Sequence, residues 1–187
     1  MQLSDDDPMR DGRRQALATT VAAEHCTGRR SAVGIDPVRD RPDRLTLVRI
    51  SDLRVDHHDD AVGLWRTVGL TRPWNDPYAD LARALVSPTS TVLAAEDDAG
   101  RLVGTAMVGH DGHRGWVYYL AVEPGLRGNG LGRQLMHASE RWLSERGVPK
   151  INLMVRSTNR AVLAFYEALG YEDGQVVVLG KFLGGSE

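Results

Sequence analysis

Between Val122 and Arg133 the chain reads Val-Glu-Pro-Gly-Leu-Arg-Gly-Asn-Gly-Leu-Gly-Arg. A strand-like apolar run, Gly115 to Val122, leads into this stretch, and an amphipathic helical run leads out of it. A chain that turns through glycines into a helix leaves the N–H groups of the first helical turn unpaired, at the positive end of the macrodipole. Gly128, Gly130 and Gly132 let the backbone curl tightly and let an anion approach it. A diphosphate is the natural guest of such a turn. The same residues also make an ordinary glycine-rich loop, so the turn alone leaves both readings open. Two other phosphate motifs are excluded. The third glycine of Gly-x-Gly-x-x-Gly falls one residue early, and no Gly-Lys-Ser or Gly-Lys-Thr follows.

The elements that must hold this turn are legible from Leu45 onward. Leu45 to Ile50 reads as a strand. Ala61, Val62, Leu64, Trp65 and Val68 form a helical stripe that Gly69 ends, and Tyr78 to Val86 reads as a second helix. Thr91 to Glu96, Leu102 to Gly109 and Gly115 to Val122 read as three strands. The turns Asp97 to Gly100 and Asp111 to Arg114 join them, which predicts an antiparallel meander. Leu131, Leu135, Ala138, Trp142 and Leu143 mark a long helix stopped by Gly147 and Pro149. Lys150 to Val155 reads as a strand. Asn159 opens a helix with the stripe Val162, Phe165, Tyr166 and Leu169, and Val176 to Leu179 supplies a last strand. The order β-α-α-β-β-β-α-β-α-β predicts an α/β (α+β) mixed sheet, and it alternates too irregularly for a doubly wound fold.

The 187 residues suit one folded domain, with 42% hydrophobic residues and 26% charged ones. Residues 1–44 contain none of the 4 Trp, 5 Tyr and 2 Phe. They are expected to form a disordered or weakly helical N-terminal extension, with the domain spanning 45–187. The formal net charge of -2 supplies no bulk positive field, so nucleic acid is not an expected partner. The N-terminus shows no signal-peptide pattern and no run is long enough to span a membrane, which predicts a cytoplasmic protein. Cys26 is the only cysteine, which excludes an internal disulfide and multi-thiolate zinc sites. No metal is expected at the pair His110 and His113 or at His57-His58-Asp59-Asp60, whose four adjacent polar residues at a helix start read as a solvated face.

Arg127-Gly128-Asn129-Gly130-Leu131-Gly132 resembles the Arg/Gln-x-x-Gly-x-Gly/Ala signature of the GCN5-related N-acetyltransferases. Tyr119-Leu120-Ala121-Val122 resembles that family's fourth strand. Asn159 to Tyr171 resembles its Asn-x6-Tyr-x3-Gly-Phe/Tyr block, and the likeness covers roughly residues 45–183. Arg72 to Pro77 and Asp111 to Gly115 resemble segments of a bacterial subgroup of this family. The resemblance implies a mostly antiparallel sheet with helices on both faces and a fourth strand that is bulged and splays from the fifth. It implies transfer of an acetyl group from acetyl-CoA to a small-molecule or peptide amine, without a metal. The pyrophosphate would lie on the amides of Arg127, Gly128, Asn129, Gly130, Leu131, Gly132 and Arg133, and the pantetheine along Leu120, Ala121 and Val122. Asn159 matches a residue that contacts the cofactor, and Tyr166 matches the general acid that protonates the departing thiolate. Asn159 is also a good N-cap, and Tyr166 also fits a core stripe. A homodimer is left open.

Direct transfer needs an uncharged amine and stabilised charge on the tetrahedral oxygen. The Leu120 N–H is the expected donor to the thioester carbonyl. The family's usual glutamate bases are absent, since Trp116 and Met154 stand where they would. That absence keeps a second reading alive, a non-catalytic acyl-CoA-binding regulatory module. The expected acceptor site uses His113 as base, because imidazole titrates near neutrality, with Arg114 beside it. Arg72, Trp74, Asn75 and Asp76 form the opposite wall, and Asp76 is the reserve base. The two arginines predict an acceptor bearing a carboxylate or phosphate.

Overall fold

A computed structural model describes residues 48–181 and 183. The expected N-terminal extension, and residues 45–47 of the expected first strand, lie outside the described residues. The sheet has five strands in sequential order: β1 (Arg49–Asp52), β2 (Ser90–Glu96), β3 (Leu102–His110), β4 (Gly115–Val122) and β5 (Ile151–Asn152). The first four pair antiparallel as a meander, and β4 pairs parallel with β5. Helices α1 (His58–Thr67) and α2 (Pro77–Val86) follow β1, α3 (Leu131–Ser144) connects β4 to β5, and α4 (Arg160–Glu167) follows β5.

Alternation along β2 shows how the sheet is sandwiched. Val92 and Ala94 pack with Ala61, Val62 and Trp65 of α1 and Leu81 and Ala84 of α2. Leu93 and Ala95 pack on the other face with Leu131, Leu135 and Met136 of α3. A two-residue period buried on both faces gives one core per face. The α3 side is tight enough that β4 needs glycine at its start: a Cβ on Gly115 would lie 2.5 Å from Leu143 Cδ1. Both expected loops of the meander form, and Asp97 closes the first by accepting from the Ala99 and Arg101 N–H groups.

Two expectations change. The strand expected over Lys150 to Val155 forms only at Ile151–Asn152, paired to Gly115 and Trp116. Past Trp116, β4 keeps its β3 neighbour and has no partner on its other edge among the described residues. The strand expected over Val176 to Leu179 does not form. These residues are strongly exposed, and β-branched composition without a paired edge satisfies no backbone group. The stripe of α4 is half-buried rather than enclosed, because the helix lies at the margin of the α3-side core.

Candidate active site

The glycine turn has the geometry of an anion cradle. Gly128 and Gly130 take φ of 83° and 80°, in the left-handed region where a Cβ is penalised. Gly130 is the N-cap of α3 and offers no side chain to its orphan donors. The first helical bond is Gln134 N–H to Gly130 O. From Gly128 to Arg133 six consecutive N–H groups therefore have no acceptor among the described residues. A Cβ on Gly128 or Gly130 would meet nothing within 4 Å, so open space lies over the donors. Arg127 keeps its exposed side chain at this turn, its Nε 3.4 Å from Val122 O. These six amides, the helix dipole and the arginine suit a diphosphate.

Just upstream, β4 is bulged. Met107 pairs with Tyr118 and Thr105 with Ala121, so Ala106 alone faces Tyr119 and Leu120. Tyr119 takes φ 47°, the left-handed conformation that aromatic residues rarely adopt. Three contacts fix it there. Its ring stacks on Trp65 at 4.1 Å between centroids. Its hydroxyl donates to Asp80 Oδ2 at 2.7 Å. Its carbonyl accepts from Thr105 Oγ1 at 3.0 Å, and Thr105 in turn accepts from Trp65 Nε1 at 2.8 Å. Burial, reinforced by the Asp80 carboxylate, pushes the Tyr119 phenol up to about 12. The bulge also places consecutive Tyr118 and Tyr119 side chains on the same side, both lining the cavity described below.

Helix α4 closes the other flank. Gly132 brings α3 so close to α4 that its Cβ would sit 3.4 Å from Phe165 Cζ. Tyr166 lies edge-on to Phe165 and Tyr171, at 5.0 and 5.6 Å between centroids. Burial alone pushes its phenol up to about 12, so the hydroxyl is protonated at neutral pH. The Asn159 side chain caps α4 by accepting from Val162 N–H at 3.3 Å, which accounts for its oxygen.

The residues expected to bind the acceptor do not come together. A cavity of about 530 Å³ lies between α2 and the β3–β4 hairpin. Of the expected residues only Asn75 lines it. Arg72 is folded back on Gly69 and Thr71 carbonyls, Trp74 is 63% exposed, and Asp76 caps α2 by accepting from Tyr78 N–H. His113 and Arg114 do not line the cavity, and Asp111 accepts from both their N–H groups within the hairpin turn. Arg114 then donates to its own neighbour, the His113 carbonyl. The cavity instead presents Asp80, Arg83, His110, Asp111, Trp116 and Tyr118. Asp111 is committed to its turn and to Trp116 Nε1–H, and these donors hold its carboxyl at about 2. Nothing in the sequence pointed to Asp80, because no spacing links its place on α2 to Tyr119 on β4. Among the described residues no three His, Cys, Asp or Glu side chains are grouped to hold a metal ion, and no helix is long and apolar enough to cross a membrane.

A strand bulged beside an opened edge, feeding a glycine turn with six free amides, has a close match among known families. Residues 53–171 match the profile of the acetyltransferase (GNAT) family. The chain belongs to that family. An acetyltransferase of Sodalis glossinidius is 48% identical over 136 residues, covering 71% of this chain and 95% of that protein. One of Pectobacterium atrosepticum is 44% identical over 136 residues, covering 73% and 96%. Among solved structures, an aminoglycoside N-acetyltransferase in complex with CoA shares the fold, with a TM-score of 0.65 at 21% identity over 75% of this chain and 98% of that one. An aminoglycoside acetyltransferase from an uncultured soil sample, in complex with trehalose, gives a TM-score of 0.61 at 19% identity over 73% and 97%. This GNAT chain is thus an acetyltransferase, and acetyl-CoA is the acyl donor of its family.

Proposed function

We propose that the protein transfers the acetyl group of acetyl-CoA directly to an amine that enters through the α2–hairpin cavity. The observation that carries this reading is the row of six free amides from Gly128 to Arg133, at the end of a strand whose outer edge is open from Val117 to Val122. The diphosphate sits on the amides, and the pantetheine arm runs along Leu120 to Val122 as an added strand would. The Leu120 N–H donates to the thioester carbonyl. The neutral amine attacks that carbon, the C–N bond forms, and the C–S bond breaks as the tetrahedral oxyanion collapses. The nitrogen gives up its remaining extra proton to water, while the Tyr166 hydroxyl gives its proton to the departing thiolate and recovers one from solvent.

The amine must first lose its own proton. Among the cavity's acceptors, Asp111 already accepts from three donors, and His110 Nδ1 already takes the Gly112 N–H at 3.3 Å. Asp80 keeps acceptor capacity beyond its bonds to Arg83 and Tyr119. It binds the incoming ammonium and passes its proton through water, which replaces His113 as the acceptor-side group. Asp80 beside the rings of Trp116, Tyr118 and Tyr119 favours a cationic amine, with Arg83 already paired to the same carboxylate.

The test is a panel of amines, polyamines, aminoglycosides, amino acids and peptides assayed for CoA release and acetylated product. For any acceptor found, Asp80→Asn should raise its KM at least 10-fold, while His113→Gln stays within 2-fold of wild type. Binding of acetyl-CoA with no acceptor raising CoA release above background across the panel would favour the acyl-CoA-binding module instead. A normal acceptor KM in Asp80→Asn would remove the acceptor from this cavity.

A further inference from the structure

We propose that Trp65 and Thr105 are positioning residues that aim the Leu120 N–H at the thioester. The carbonyl of Tyr119 and the N–H of Leu120 belong to one peptide unit, which is planar and trans. In such a unit the C=O and N–H vectors point in opposite directions. Thr105 Oγ1 donates to that carbonyl at 3.0 Å, so the carbonyl points toward β3 and the α1 side. The Leu120 N–H is thereby turned away from β3, toward the edge of β4 that β5 has left. Leu120 takes part in no ladder pair among the described residues, as such a turned peptide unit requires.

What holds the clamp is equally specific. Thr105 and Trp65 are both fully buried, and the Trp65 indole N–H donates to the hydroxyl at 2.8 Å. Occupied by that donor, the Thr105 hydroxyl has its single proton committed to the Tyr119 carbonyl. The order of donation is therefore fixed as indole to hydroxyl to carbonyl, and each bond polarises the next in a low-dielectric interior. A carbonyl that accepts a hydrogen bond makes its own amide a better donor. The same indole stacks on the Tyr119 ring, so one side chain holds the residue by its face and by its backbone. Without the clamp, the left-handed φ of Tyr119 would relax and the peptide unit would rotate.

This inference rests on the reading that Leu120 polarises the thioester, and the experiment separates the two. Acetyl-CoA carrying a 13C-labelled thioester carbonyl is bound to the full chain, and its infrared stretch is read with and without Tyr166→Phe to slow turnover. In wild type the band should shift to lower frequency than in free acetyl-CoA. Thr105→Val should lose most of that shift and lower kcat 10- to 100-fold, with CoA affinity and acceptor KM within 2-fold. Thr105→Ser, which keeps the hydroxyl, should restore both within about 3-fold. Trp65→Phe keeps the stacking ring and loses the N–H, and should lower kcat 3- to 10-fold. It carries the test if Thr105→Val does not fold. A wild-type shift that persists in Thr105→Val and Trp65→Phe, with normal kcat, would overturn the clamp alone. A wild-type band identical to that of free acetyl-CoA would overturn the Leu120 reading and the clamp with it.

Discussion

Replacing Gly130 by Asp separates what the glycine turn does for the fold from what it does for the ligand. The position is the N-cap of α3, with φ 80° and nothing within 4 Å of a built Cβ. A Cβ there costs the left-handed strain of about 1–2 kcal/mol. Glycine is itself a fair N-cap, so a carboxylate here returns only a few tenths of a kcal/mol by capping and about 0.3–1 kcal/mol through the dipole. The balance is a loss of about 1 kcal/mol, so the melting temperature should fall by a few degrees while the protein stays folded. The ligand experiences a larger penalty. A carboxylate about 5 Å from a phosphate charge, at an effective dielectric of roughly 20–30, is repelled by about 2–3 kcal/mol for each charge it faces. One such charge lowers CoA affinity about 30- to 150-fold. Gly130→Asn is the control, since it occupies the same volume, caps equally well and tolerates positive φ without the charge. Calorimetric titration of CoA into the three proteins, beside thermal melts, should show affinity falling far more for Asp than for Asn. Equal affinity in a folded Gly130→Asp protein would refute the placement of the diphosphate over these amides.

Tyr166→Phe keeps the rings at Phe165 and Tyr171 and removes a hydroxyl whose acidity is set by burial alone; stability should change by under about 1 kcal/mol while kcat falls at least 10-fold, read by denaturant unfolding and steady-state kinetics. Gly115→Ala drives a Cβ into Leu143, which is only 2% exposed, and should cost about 1–3 kcal/mol by overpacking; adding Leu143→Ala should not restore the loss additively, a coupling that a double-mutant cycle measures. Asp111 has its folded-state carboxyl lowered to about 2 by the His113 and Arg114 N–H groups. A depressed carboxyl contributes stability above its unfolded pKa and loses it as pH falls through the folded value. Asp111→Asn should therefore flatten the stability profile between about pH 4 and pH 2, as followed by acid titration of the circular dichroism signal.

Much of the frame was legible because its signals are local. The bounds of β4 follow from Gly115 and the apolar run that ends at Val122, and the glycine turn announces the start of α3. What was not legible depends on partners far along the chain. Val-Tyr-Tyr-Leu-Ala-Val reads as an unbroken strand, and the left-handed Tyr119 arises only because Trp65, Thr105 and Asp80 hold it from three other elements. Lys150 to Val155 and Val176 to Leu179 carry strand-forming residues, but a strand needs a partnered edge, and composition does not say where one is. His113 and Arg114 have the right chemistry for an acceptor site. Their place is set by the turn that Asp111 completes with two backbone bonds, and neither residue lines the cavity. Asp80 entered the cavity unannounced, since a helix position on α2 and a strand position 39 residues later share no sequence period.

The open edge of β4 exposes the chain to a hazard as well as to a ligand. Any extended peptide, including a neighbouring molecule's, finds there the same unpaired amides that a slender thioester arm would use. The bulge at Tyr119 makes that edge a poor template, because the φ of 47° breaks the regular spacing that successive strand bonds require. A flexible arm with few amides tolerates the broken spacing, whereas a polypeptide seeking continuous register does not. The irregularity in β4 therefore makes this edge a poorer template for a second strand than a regular one would be.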